Sequence, residues 1–149
     1  MATQPYLTKY PLTTPQKNLL GLHIIRMLVA PFTDMEAYKL GIIDEKGNIL
    51  RPYNTLWKQE DRDAYTMLDR LVIRMKRLIN IVPWVKPKFT TYTQAWMLVK
   101  ECYENNEEPI DLEYRFLNAG PVNTEDVQLV EDYINNKIVL PFSVYAKGL

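Results

Sequence analysis

A chain of 149 residues is long enough for one domain with one core, burying about two thirds of its surface. Its 18 bases balance 18 acids, so net charge gives no reason for non-specific nucleic-acid binding. One cysteine with one histidine excludes both a disulfide framework and a zinc site of the usual kind. No cofactor is expected. The N-terminus lacks the basic-then-apolar layout of a signal peptide, and no apolar run approaches the roughly 18 residues of a membrane span, so the expectation is a soluble protein of a reducing compartment.

Residues 1–13 carry Pro5 and Pro11 with Tyr6 and Tyr10, have no period, and read as an extended N-terminal arm. Thr14 followed by Pro15 starts a helix that Pro31 stops, with Leu20, Ile24 and Leu28 among its apolar residues. His23 lies near that run and reads as a packing histidine, since no nucleophile beside it calls for a general base. Thr33 and Glu36 have the spacing of a capping box, opening a short helix that ends at Gly41 in the left-handed conformation. Ile42-Ile43 and Ile49-Leu50 then flank Asp44-Glu45-Lys46-Gly47, which reads as a small β-hairpin over residues 42–50, with Asp44 and Glu45 as turn residues. In the connector that follows, Trp57 is expected to fold back on the core.

The run EDRDAYTMLDRLVIRMKRLINIV, residues 60–82, places Met67, Leu68, Leu71, Val72, Met75, Leu78 and Ile79 at three- and four-residue steps. It reads as one central helix, with acids in its first turn and bases in its last, as the macrodipole favours. Its Arg70, Arg74 and Arg77 form a basic ridge, extended by Lys86 and Lys88 past a proline-rich bend. Thr90 or Thr91 caps a further helix whose Ala95, Leu98, Val99 and Cys102 share a face. The thiol reads as a buried small hydrophobe with nothing near it to lower its pKa.

Beyond Asn106, Ile110, Leu112, Tyr114 and Phe116 alternate with Asp111, Glu113 and Arg115, the period of a strand. A helix carrying Val127, Val130, Tyr133 and Ile134 follows. Residues 137–149 then hold Ile138, Val139, Leu140, Phe142, Val144 and Tyr145 interrupted by Pro141, an apolar C-terminal arm that leaves water by docking in a groove, here expected on a partner.

The fold class is therefore mainly α. Residues 14–106 form a compact core of about four to five helices with one small hairpin, and residues 107–149 form an acidic strand and helix extension with an apolar arm. Charge is polarised along the chain: residues 51–100 hold ten bases and four acids (+6), residues 101–136 ten acids and one base (−9). No nucleophile with a base, split carboxylate pair, phosphate loop or dinucleotide fingerprint is present, so an enzyme is not expected.

The residues Ala37-Tyr-Lys-Leu-Gly-Ile-Ile-Asp-Glu-Lys-Gly47, Asp63-Ala-Tyr-Thr-Met-Leu-Asp-Arg-Leu-Val72 running to Lys76-Arg-Leu78, and more loosely residues 95–100 carry a resemblance. This stretch, less than half the chain, resembles a small helical family of tailed bacteriophages, largely uncharacterised or virion-associated. The resemblance implies a phage context and no activity or site residues. Combined with the two arms and the charge polarity, it leads to the expectation of a non-enzymatic adaptor in the virion, at the head–tail junction or baseplate. Its partners would be other phage structural proteins and copies of itself in a ring or shell, met through Tyr6, Tyr10 and the C-terminal arm. An internal or capsid-associated head protein touching DNA through the basic face, or a cytoplasmic phage protein binding a host factor, is the alternative.

Overall fold

A computed structural model describes residues 14–80, 89–107 and 111–135. These form α1 (Thr14–Val29), α2 (Glu36–Lys39), α3 (Gln59–Asp63), α4 (Met67–Ile79), α5 (Phe89–Glu104), α6 (Leu112–Leu117) and α7 (Thr124–Ile134), with 3-10 turns at Phe32–Asp34 and Tyr53–Thr55. The mainly helical class agrees with the sequence reading, and among the described residues there is no strand.

The periodic stripe of α4 becomes the floor of the core. Leu68, Leu71, Val72 and Met75 are buried against Leu20 and Ile24 of α1 and Ala95, Val99 and Cys102 of α5. The pair α1 and α5 is drawn close by a buried bond: the Trp96 indole Nε1 donates to the Gly21 carbonyl at 2.9 Å. A Cβ at residue 21 would lie 3.2 Å from the indole, so glycine permits that approach. α4 and α7 both pack on this pair, and far less on each other. Leu112 and Val130 are buried in the same cluster, so α6 and α7 each contribute a side chain to it.

A second cluster lies under the segment between α1 and α4. Phe32, Ala37, Ile42, Ile43, Leu56 and Tyr65 gather on Ile73, which projects from α4 beside the main stripe. α4 thus serves two cores, a role for Ile73 that a single-stripe reading misses.

Four expectations are corrected here. The central helix is two helices. Ala64 C-caps α3, and Thr66 restarts the chain with a reciprocal capping box in which its hydroxyl accepts from the Asp69 amide and its own amide donates to the Asp69 carboxylate at 3.0 Å. The box expected at Thr33 and Glu36 is not made, because Thr33 lies inside a 3-10 turn and Met35 is the N-cap of α2 without a side-chain bond. The hairpin is reduced to one antiparallel bridge, Ile43 with Ile49. Its turn chemistry is as read, with Asp44 Oδ1 accepting from the Lys46 and Asn48 amides and Gly47 at φ +81°, but Ile42 and Ile43 are both buried, which no alternating strand permits. Lastly, of residues 110–116, read as strand, residues 112–116 lie in the helix α6, with Leu112 and Phe116 one turn apart on the core, and residue 110 lies outside the described residues.

Two helix ends use the same device. Gly41 (φ +72°) and Asn106 (φ +52°) follow α2 and α5. In each case the next residue's amide bonds five residues back, Ile42 to Ala37 at 2.8 Å and Glu107 to Cys102 at 2.9 Å, the six-to-one bond of a Schellman motif.

Candidate functional site

The basic ridge is present on α4, but its three arginines differ. Arg70 is committed to its own chain: its guanidinium sits 3.9 Å from the Tyr53 ring centroid, and it donates to the Tyr65 carbonyl at 3.4 Å. Arg74 and Arg77 are exposed and make no salt bridge among the described residues. They form the divide between two grooves. One, of about 660 Å³, is walled by Phe32, Glu45, Lys46, Leu78, Asn80 and Glu113; the other, of about 360 Å³, by Ile49, Tyr65, Met67, Arg70, Leu71 and Ile73. Lys86, Lys88, Tyr6, Tyr10, Ile138, Val139, Leu140, Phe142, Val144 and Tyr145 lie outside the described residues.

The connector that follows Ile49 of the second groove exposes large side chains. Leu50 is 57%, Tyr53 43% and Trp57 76% exposed, and the Lys58 ammonium lies 5.5 Å from the Trp57 ring centroid. The inward-folded Trp57 expected from sequence is corrected: Leu56, the preceding residue, takes the buried place, and Trp57 points the other way. Arginine and aromatic residues together are the composition of protein interfaces.

The remaining titratable groups are internal. Lys76, inside the helix that bears the ridge, is buried, donates to the Ala30 carbonyl just past the end of α1, and stands 4.3 Å from the Phe32 ring centroid. Burial lowers its pKa to about 8 against the pull of Asp34. His23 is lowered by burial, then by Arg26, to about 4, so it is neutral at physiological pH, as a packing histidine is. Cys102 is fully buried, yet Arg115 does lie beside it, Nη1 donating to Sγ at 3.4 Å while the guanidinium also pairs with Glu101 at 2.8 Å and Glu107 at 3.1 Å. Burial outweighs that cation and raises the thiol pKa, so it is not a thiolate near neutrality. Arg115 was legible only as part of a strand, which hid its approach to α5.

Among the described residues no group of three or more His, Cys, Asp or Glu is placed to hold a metal ion, and no helix is long and apolar enough to cross a membrane. The arrangement offers cation, aromatic surface and groove, the means of binding. No protein family, curated protein or solved structure matches the chain.

Proposed function

We propose that this chain is a non-enzymatic structural component of a tailed-bacteriophage virion, a small adaptor at the head–tail junction or baseplate that binds neighbouring subunits. The observation that carries the reading is the exposed connector surface of Leu50, Tyr53 and Trp57, whose Tyr53 stacks on Arg70 of the groove that Arg74 and Arg77 border. Aromatic anchors and arginines concentrate the binding energy of protein interfaces, and this surface offers both, with Trp57 76% exposed. The resemblance of residues 37–100 to a virion-associated phage family supplies the context.

Mass spectrometry of purified particles of the encoding phage tests the proposal. The protein is expected in them at a fixed copy number, and its absence would end the reading. The second reading, an internal head protein touching DNA, is favoured by exposed Arg74 and Arg77 beside Lys46; Glu45 and Glu113 in the same groove weigh against it.

A further inference from the structure

We infer that the α4 ridge of one copy takes the outer face of α7 of a second copy, so that the chain assembles head to tail. The inference deepens the adaptor reading and rests on it. It comes from three observations that agree.

First, the helices match in pitch and sign. Arg70, Arg74 and Arg77 stand at i, i+4 and i+7 on α4, while Glu125, Gln128 and Asp132 stand at i, i+3 and i+7 on the α7 face turned away from buried Val130. Each row spans about 10.5 Å at 1.5 Å per residue. Laid antiparallel, the rows coincide in register: Arg77 meets Glu125 and Arg74 meets the Gln128 amide, while Arg70, held by Tyr53 and the Tyr65 carbonyl of its own chain, only flanks Asp132 and Glu131. Glu125 and Gln128 are exposed, and Gln128 already donates to Asp132 at 2.8 Å, which holds that row in place.

Second, α4 and α7 each pack on both α1 and α5 and far less on each other, so no packing contact between the two helices brings the rows together.

Third, the chain as a whole is neutral, 18 bases to 18 acids, although its sections are strongly charged. Copies therefore attract face to face without accumulating net charge as the assembly grows. A contact between unlike faces is heterologous, and it closes into a ring or continues as a filament. Glu45 and Glu113 beside Arg74 and Arg77 temper the attraction, which keeps it dependent on salt.

The test is sedimentation velocity of the full chain. Self-association is expected to weaken at least tenfold between about 50 mM and about 500 mM salt. Arg74→Glu with Arg77→Glu, and separately Glu125→Lys with Asp132→Lys, are each expected to weaken association at least tenfold while helicity by circular dichroism stays unchanged. Mixing the two variants, or combining all four changes in one chain, is expected to restore it, because each altered face then meets its complement. A wild-type monomer at every salt concentration overturns the inference, as does association that neither variant alters or that mixing fails to rescue. Salt-steep binding of a duplex DNA by a monomeric wild type, lost on Arg74→Glu with Arg77→Glu, overturns it in favour of DNA on the ridge. Particles that contain the protein while it stays monomeric in solution would remove this inference and leave the adaptor reading standing.

Discussion

Gly47→Ala is the most informative single change for the second core. A Cβ at residue 47 would lie 2.5 Å from Cζ of Phe32 and 2.7 Å and 2.9 Å from its two Cε atoms, inside any allowed carbon contact. The ring cannot swing out freely, because Phe32 is buried among Ala37, Ile42 and Ile43 and the Lys76 ammonium stands against its face. Residue 47 also sits at φ +81°, which costs an L-residue about 1 kcal/mol. Displacing a packed aromatic adds about 1–3 kcal/mol, so the total is about 2–4 kcal/mol. Gly41→Ala separates the two effects: residue 41 is at φ +72° with nothing within 4 Å of the added Cβ, so only the backbone cost of about 1 kcal/mol remains. Urea denaturation of both variants gives the difference directly. In a Phe32→Ala background the Gly47→Ala penalty is expected to shrink toward that of Gly41→Ala, because the colliding ring is gone. Equal costs for the two glycine changes, or full additivity with Phe32→Ala, would refute the contact.

Leu71→Ala removes a side chain that is 1% exposed at the centre of the main cluster and is expected to cost about 2–5 kcal/mol by the same assay. Arg51→Ala strands the buried Asp61 carboxylate, whose partner stands at 2.6 Å, and is expected to cost about 1–3 kcal/mol, while the double change with Asp61→Asn recovers part of it. Two groups give opposing pH dependences. Below pH 6.5 an unfolded chain protonates His23 while the fold, with a pKa of about 4, does not, so stability rises with pH through that window by about 3 kcal/mol. Asp69, raised by burial to about 6 from 3.8, is protonated in the fold but ionised when unfolded between those values, so its contribution falls with rising pH by about 3 kcal/mol. Relative to the wild type, His23→Gln should therefore lose stability more steeply from pH 4 to 6, and Asp69→Asn should gain it. Two variants with the wild-type slope would show that neither group is buried as described.

The elements that were legible are those in which one physical signal stood alone. The stripe Leu68, Leu71, Val72 and Met75 repeats over two turns, and no strand produces that spacing, so α4 was found with its core face correct. The break before it is hidden, because Ala64 and Met67, three residues apart, continue the same helical stripe, and only the Thr66 and Asp69 pair marks a new start. That pair has the same spacing as Thr33 and Glu36, so spacing could not say which box would close; the neighbouring 3-10 turn at Phe32–Asp34 decided it. Residues 110–116 failed for a related reason. Seven residues hold barely two helical turns, and Leu112 with Phe116 fits i, i+4 as well as it fits alternation. What decides is whether a partner strand exists, and among the described residues none does.

The candidate surface was half legible, and the division follows from how charge and shape are encoded. Three arginines at helical spacing announce a ridge, since spacing alone places them on one face of α4. Whether each is available depends on aromatic neighbours distant in sequence: Tyr53 takes Arg70, and among the described residues no aromatic ring is stacked on Arg74 or Arg77. Trp57 shows the converse. Its apolar bulk argues for burial, but adjacent positions in an extended connector point to opposite sides, and with Leu56 filling the second core Trp57 is turned outward beside the Lys58 ammonium. The +6 and −9 of the sequence are only partly kept apart in the fold: Glu113 of the acidic section lines the groove of Arg74 and Arg77, and Arg115 pairs with Glu101 and Glu107, while Glu125 and Gln128 stay exposed on α7, which packs on α1 and α5 far more than on α4. It is therefore the charge left exposed on α4 and α7, not the composition of the two sections, that a second copy can read.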